Sequence, residues 1–237
     1  MDNKNVAIHD ADFFETIPAH ARYYAIPYEQ TRRGIQKTVR QGDVHQWAVK
    51  KSFEIDHRCR RRMITVKLGD QTNLVAFDQG VAQASSDGFS ESDGIVSSTG
   101  AGAIDTALVF QLFSARKSCA YVQDLLSKES GFLALAGGKH TLVDIVLRDD
   151  EKARFAKEVY CYQVLKSIGS FVALLGGLDA IVFVGEPLGI IKNLALDLSC
   201  KMKFLGLNTR SFVIGDEVGL LTYESSQVSA YYFEYKS

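Results

Sequence analysis

The apolar positions Phe155, Val159, Tyr162, Leu165, Ile168, Val172 and Leu175 recur every three or four residues, the spacing of one face of an α-helix. This pattern predicts a helix over 152–175, the longest in the chain, with that face buried. Gly176 and Gly177 follow, supplying left-handed backbone positions at which helices commonly end. Residues 180–184 then form a short β-branched run of the kind found in strands covered on both faces. Together they make half of an α/β unit, and any chemistry must come from the loop after Val184.

Elsewhere, runs 63–67 and 73–77 are rich in strand formers and are separated by the turn-like Gly69, Asp70, Gln71 and Thr72, which predicts a hairpin. Residues 104–114, 120–126 and 194–204 read as helices, and strands are expected near 211–214, 220–223 and 229–233. Residues 84–102 shift to Ser, Asp and Gly and predict a polar loop. The stretch before residue 60 has little periodicity, with turns around Pro18 and Pro27 and a helix from about Tyr28. The mixed order predicts an α/β fold, a mixed sheet flanked by helices. The whole chain, 1–237, is expected to be one domain, with a loop-rich and helical segment over 1–60 and the α/β core over 61–237. The one possible boundary lies near Gly100.

Composition narrows the function classes. With 237 residues, 46% of them hydrophobic, the chain can bury a sizeable core. A formal net charge of −1 gives no long-range field for nucleic acid or an anionic membrane. The basic run His57, Arg58, Arg60, Arg61 and Arg62 lacks interleaved aromatics and reads as a solvated stretch before a strand. Cys59, Cys119, Cys161 and Cys200 are widely spaced, with no CxxC pair, so reduced thiols and a cytoplasmic location are expected. The N-terminus carries no secretory pattern, and the apolar stretch 168–184 is broken by glycines, Ser170 and Asp179, so no membrane span is expected.

Four stretches carry a family resemblance: TIPAHARYYAIPYE from Thr16, IDTALVFQL from Ile104, LLSKESGFLALAG from Leu125, and the helix and strand over 158–185. With these, the chain resembles the C-terminal half of the acetate and propionate kinases, members of the actin-like, sugar-kinase and Hsp70 ATPase superfamily. The resemblance implies an actin-like, ribonuclease-H-type domain, ATP and Mg as cofactors, and a homodimer, for which the aromatic segment around Tyr23, Tyr24 and Tyr28 is a candidate contact. It places Lys67, Gly69 and Gly185 at the nucleotide site, and Asp10 and Glu217 at catalytic, magnesium-holding positions.

The reactive motifs depart from the family's pattern. Where the family has GTRSGDIDP this chain has STGAGAIDT, which puts Gly100 at the arginine. Gln41 stands at the first histidine of FHGTSH, and only His45 is retained. The phosphate-cradling HLGNGSS reads KLGDQTN, where Asp70 adds a carboxylate and Gln71 replaces a glycine; such turns need small residues and no negative charge. GGIGEN becomes GEPLGI, with Glu186 adding bulk and charge and Pro187 removing a donor. SSDMR becomes KHTLV, which leaves Thr141 and Val143 at the aspartate and arginine. The family's first domain, which supplies a transition-state arginine, has no counterpart in the sequence. Loss of one such stabiliser commonly costs about 10²- to 10³-fold in rate. The expectation is an acetate-kinase-like protein without kinase activity of its own, kept for binding or regulation. The alternative is an ATP-dependent acyl kinase subunit completed by a partner chain that supplies the missing domain.

Overall fold

The computed structural model describes residues 15–114, 118–186, 189–210 and 218–235. Its frame is a six-stranded sheet built from β1 (Arg62–Lys67), β2 (Asn73–Asp78), β3 (Val81–Ser85), β4 (Ala180–Gly185), β5 (Val218–Leu220) and β6 (Ser229–Glu234), in the order β3-β2-β1-β4-β6-β5. The β1–β2, β2–β3 and β5–β6 pairs are antiparallel, whereas β1–β4 and β4–β6 are parallel. β4, in the parallel centre, is buried at all six positions. This explains why its sequence is a continuous apolar run rather than an alternating one.

β1, β2, β3, β4 and β6 feed both faces of the sheet. Ile64, Val66, Ile181, Phe183 and Tyr232 point to one side, where α8 (Glu151–Leu175) and α9 (Gly189–Cys200) pack. Met63, Val75, Val182 and Phe233 point to the other, covered by Val44, Ala48 and Val49 of α3 (Gly42–Ile55). Before α3 come two short helices, α1 (Ala19–Arg22) and α2 (Tyr28–Arg32). Between β3 and α8 lie α4 (Thr106–Ser114), α5 (Cys119–Lys128), α6 (Gly131–Ala136) and α7 (Leu142–Leu147).

The α8 prediction is right in extent, and its buried face is shifted at Phe155 and Tyr162. Asp150 caps its start by accepting from the Ala153 N–H, and Gly176 ends it at φ +68°. Ile168 is buried as expected, but Phe155 and Tyr162 are exposed (54% and 67%), and Ala153, Ala156, Tyr160 and Val164, outside the expected set, are buried. Small Ala153 and Ala156 bring the helix close to its neighbours. The predicted residues Val159, Leu165, Val172 and Leu175 flank this stripe and are partly buried.

Other expectations shift. The polar loop begins later than residue 84, because β3 runs to Ser85. The segment before residue 60 contains α3, a 14-residue helix that its polar composition concealed. The helix expected over 194–204 starts at Gly189 and ends at Cys200, with a separate 3-10 turn at Lys203–Leu205. The strand expected over 220–223 is β5, and Thr222 makes only an isolated bridge to Thr209. The strand expected at 211–214 falls outside the described residues. Among the described residues no helix is long and apolar enough to cross a membrane.

At the start of β1, Arg62 locks the exit of α8. Its guanidinium donates to both carboxylate oxygens of Asp179 (2.7 and 3.0 Å) and to the Gly176 carbonyl (2.7 Å). Gly177 sits at φ +136° directly against that guanidinium, leaving no space for a side chain.

Candidate binding site at the β1–β2 hairpin

The turn between β1 and β2 is fixed from within. Thr72 Oγ1 donates to the Gly69 carbonyl (2.9 Å) and accepts from the Gly69 N–H (3.2 Å). Its single proton is thus committed, so the fully buried Tyr160 of α8 donates its hydroxyl to Thr72 Oγ1 at 2.7 Å. Outward contacts tie the same turn to remote segments. Asp70 Oδ1 accepts from the Leu142 N–H at the start of α7 (2.7 Å), and the Asp70 carbonyl accepts from the Ser98 N–H (3.4 Å). Lys67 Nζ folds back over the turn and donates to the Gln71 carbonyl at 3.2 Å.

A cavity of about 430 Å³ opens beside this turn. Lys67, Gly69 and Asp70 form one wall, Thr141 and Val143 another, and Gln41 and Glu186 complete it. Four of the sequence motifs therefore meet in one place although they are far apart along the chain. Gln41 adopts a left-handed conformation (φ +57°) ahead of α3, and among the described residues its side-chain oxygen is buried without a partner. The Tyr232 hydroxyl donates to the Glu186 carbonyl at 2.7 Å and so fixes the backbone from which the Glu186 carboxylate projects. Burial pushes the Lys67 ammonium below its ordinary range, and the negative charges of Glu186 and Asp70 oppose that shift.

The remaining predicted positions lie nearby or out of view. Gly185 is buried at the end of β4, where a Cβ would come within 2.8 Å of the Ile191 side chain and 2.9 Å of the Tyr232 hydroxyl, so its small size serves packing. Gly100, at the family's arginine, is buried in a tight turn: its N–H donates to Ser97 Oγ at 2.8 Å, and a Cβ there would lie 2.8 Å from the same oxygen. Asp10, Glu217 and Pro187 fall outside the described residues.

The retained histidine does not reach the cavity. His45 is fully buried between α3 and the sheet, with Nδ1 2.6 Å from Thr65 Oγ1 and Nε2 3.0 Å from Asn73 Oδ1. Because the Asn73 amide nitrogen donates to the Arg40 carbonyl (2.6 Å) and to Asp87 (3.1 Å), its oxygen is the acceptor. His45 therefore carries its proton on Nε2 and accepts from Thr65. Burial holds its pKa below the ordinary value. The buried Asp87 also receives the Arg40 N–H and guanidinium, each at 2.8 Å. No sequence motif flags Asp87 or Arg40; their pairing appears only once the chain has folded.

The lining does not fit the polyphosphate of a magnesium nucleotide. Among the described residues it offers one ammonium against two carboxylates, and the backbone N–H of Leu142 that faces Asp70 is already taken by that carboxylate. Among the described residues no group of three or more His, Cys, Asp and Glu side chains is placed to hold a metal ion. A larger groove of about 750 Å³ separates α8 from α9 and is bridged by the Lys157–Asp197 ion pair (3.3 Å), but none of the motif residues reaches it.

A mixed sheet in this order with helices on both faces is the fold of the acetate kinases and their actin-like superfamily. The acetate kinases of Porphyromonas gingivalis (TM-score 0.81, 24% identity, 95% of this chain and 59% of that one) and Entamoeba histolytica (TM-score 0.82, 26% identity, 95% and 61%) superpose on it. Residues 1–234 match the acetokinase family, and the chain belongs to that family. Relatives include the acetate kinases of Caldicellulosiruptor bescii, 32% identical over 81% of this chain and 51% of that one, and Carboxydothermus hydrogenoformans, 33% identical over 85% and 52%. The chain thus spans about half the length of the curated relatives it matches.

Proposed function

We propose that this chain is a non-catalytic, acetate-kinase-like protein that acts by binding or regulation. The observation that carries this reading is the hairpin cavity, where Asp70 caps the start of α7 and Glu186 stands across from the turn, so that a transferred phosphoryl group would meet carboxylates on two sides. Gly100 adds to it, since the buried turn around Ser97 has no room for the arginine that would stabilise the transferring group. Calorimetric titration with ATP and with ADP, each with magnesium, together with an acetate kinase assay of the purified chain, tests the reading. No saturable heat and no turnover are expected; acetyl phosphate formation at ordinary kinase rates would overturn it.

A second reading is a subunit of an ATP-dependent acyl kinase, a phosphotransferase with a carboxyl acceptor, whose other half comes from a partner chain. It is favoured by a family fold kept at a TM-score of 0.82. Asp10 and Glu217 would then hold magnesium, and Lys67, Gly69 and Gly185 would face the nucleotide. Activity that appears only on mixing with such a partner, and that Asp10→Ala abolishes, is the result this reading requires. The protein itself is read as a cytoplasmic homodimer. Tyr23 and Tyr28 are exposed and available for the contact, whereas Tyr24 is engaged with Phe89 and Asp93. Sedimentation of the wild type against Tyr28→Glu checks the assembly.

A further inference from the structure

We infer that two copies of this chain pair through α8, lying antiparallel about a two-fold axis at Tyr162; this rests on the reading of the protein as a homodimer and gives that dimer its face. α8 is apolar on two sides. Ala156, Tyr160, Val164 and Ile168 turn to the core, while Phe155 and Tyr162 stand exposed on the other side. At about 100° per residue, Phe155, Glu158, Val159, Leu165, Lys166 and Gly169 all fall within about 60° of Tyr162, so they form one outward stripe. Within the chain Val159 and Leu165 are half-buried at its edges, and the rest of the stripe is exposed. A helix apolar on both sides is covered on both sides in a stable assembly.

The order of residues along the stripe says what covers it. Phe155 and Gly169 lie seven positions to either side of Tyr162, Glu158 and Lys166 four, and Val159 and Leu165 three. In an isologous antiparallel pair centred on Tyr162, each residue therefore meets its counterpart from the other half of the stripe. Phe155 of one copy lies over Gly169 of the other, where an added Cβ has no heavy atom within 4 Å. Glu158 meets Lys166 on both sides of the axis, Val159 meets Leu165, and Tyr162 meets itself. Among the described residues neither Glu158 nor Lys166 makes an ion pair within the chain; Lys166 Nζ lies over the Tyr162 ring, 5.9 Å from its centroid. Both charges are thus left for the other copy. A foreign helix would match this order of bulk and charge only by carrying the same residues in reverse, which a second copy of α8 does by symmetry. The groove of about 750 Å³ between α8 and α9 opens along the stripe at Glu158, Tyr162 and Leu165 and gives the second helix room on that side.

The test is sedimentation equilibrium of the full chain from about 1 to about 200 µM, for the wild type, Glu158→Lys, Lys166→Glu and the double exchange. The wild type is expected to dimerise with a Kd on the order of 10 µM, the strength of a small interface. Each single exchange sets like charges opposite each other on both sides of the axis and should weaken the dimer by about tenfold or more. The double exchange reverses both ends of each pair and should restore it. Glu158 and Lys166 are exposed, so each variant should unfold at the wild-type temperature when dilute. A dimer that neither single exchange weakens overturns the inference and leaves the homodimer reading standing. Single exchanges that the double exchange does not rescue overturn it as well. A wild type that stays monomeric over the whole range overturns both the inference and the reading beneath it.

Discussion

The carboxylate of Asp70 lies 2.7 Å from the backbone nitrogen of Leu142, 72 positions along the chain, and joins the β1–β2 turn to the start of α7. A negative group beside the first N–H groups of a helix is favourable in itself. Here it also occupies a donor that would otherwise face the cavity. One aspartate thus closes a donor to ligand and fastens two segments together.

Asp70→Ala should therefore destabilise the protein by about 1–2 kcal/mol through the orphaned Leu142 N–H. Asp70→Asn should retain most of that stability because an amide oxygen can still accept. Urea denaturation of the two variants separates the cap from the charge, and equal losses in both would show that charge, not the hydrogen bond, is what matters at Leu142.

Tyr160→Phe removes the hydroxyl that donates to Thr72 without altering the packing of the ring against Phe132, whose centroid lies 5.9 Å away. A loss of about 1 kcal/mol is expected, with Thr72 left to its contacts within the turn. Amide exchange at Gly69 and Gln71 should quicken more than exchange in β4, since only the turn loses its outside support. Uniform quickening would place the role of Tyr160 in the core instead.

His45 makes stability depend on pH. Burial keeps its native pKa below the ordinary 6.5, so the unfolded chain takes up this proton first as the medium becomes acidic. Its contribution is complete above about pH 6.5 and declines as the pH falls from there toward the native pKa. His45→Phe should cost about 2–3 kcal/mol at neutral pH, because Thr65 and Asn73 lose their partner, and should flatten the slope between about pH 7 and 5. An unchanged slope in the variant would assign the pH dependence to another group.

Gly177→Ala places a methyl group against the Arg62 guanidinium at a backbone angle of φ +136°. The two effects together should cost about 1–3 kcal/mol. Thermal unfolding checks this, and Gly169→Ala, in α8 with open space at its Cβ, should instead be neutral or stabilising.

The long β-branched and apolar runs made β1, β2, β4 and β6 legible in the sequence, because a strand buried in a sheet needs those residues over its whole length. The C-terminal end of α8 was legible for a local reason, in Gly176. Its buried face was legible at Ile168 but not throughout, since spacing fixes a period but not which of two adjacent stripes turns inward; Ala156 and Tyr160 are buried where Phe155 and Tyr162 are exposed. α6 and α7, each six residues long, gave too few turns to show a period. At the site, the altered motif residues could be named in advance, but not the Asp70–Leu142 bond or the chain from His45 through Asn73 to Asp87 and Arg40. Those depend on which segments the fold brings together.

Glu186, Gln41 and Lys67 reach the cavity from a strand end, the lead-in to a helix and a hairpin arm, while the sheet beneath is filled by Val66, Phe183 and Tyr232. Recognition and foldedness are consequently written partly in the same side chains: Asp70 lines the cavity and fastens α7, and Leu68, Leu142 and Ile191 belong to the lining and the core at once. Substitutions at Glu186 and Lys67 can therefore alter the chemistry of the cavity while leaving the core in place, whereas a change at Asp70 or Leu142 alters the chemistry and the stability of the fold together.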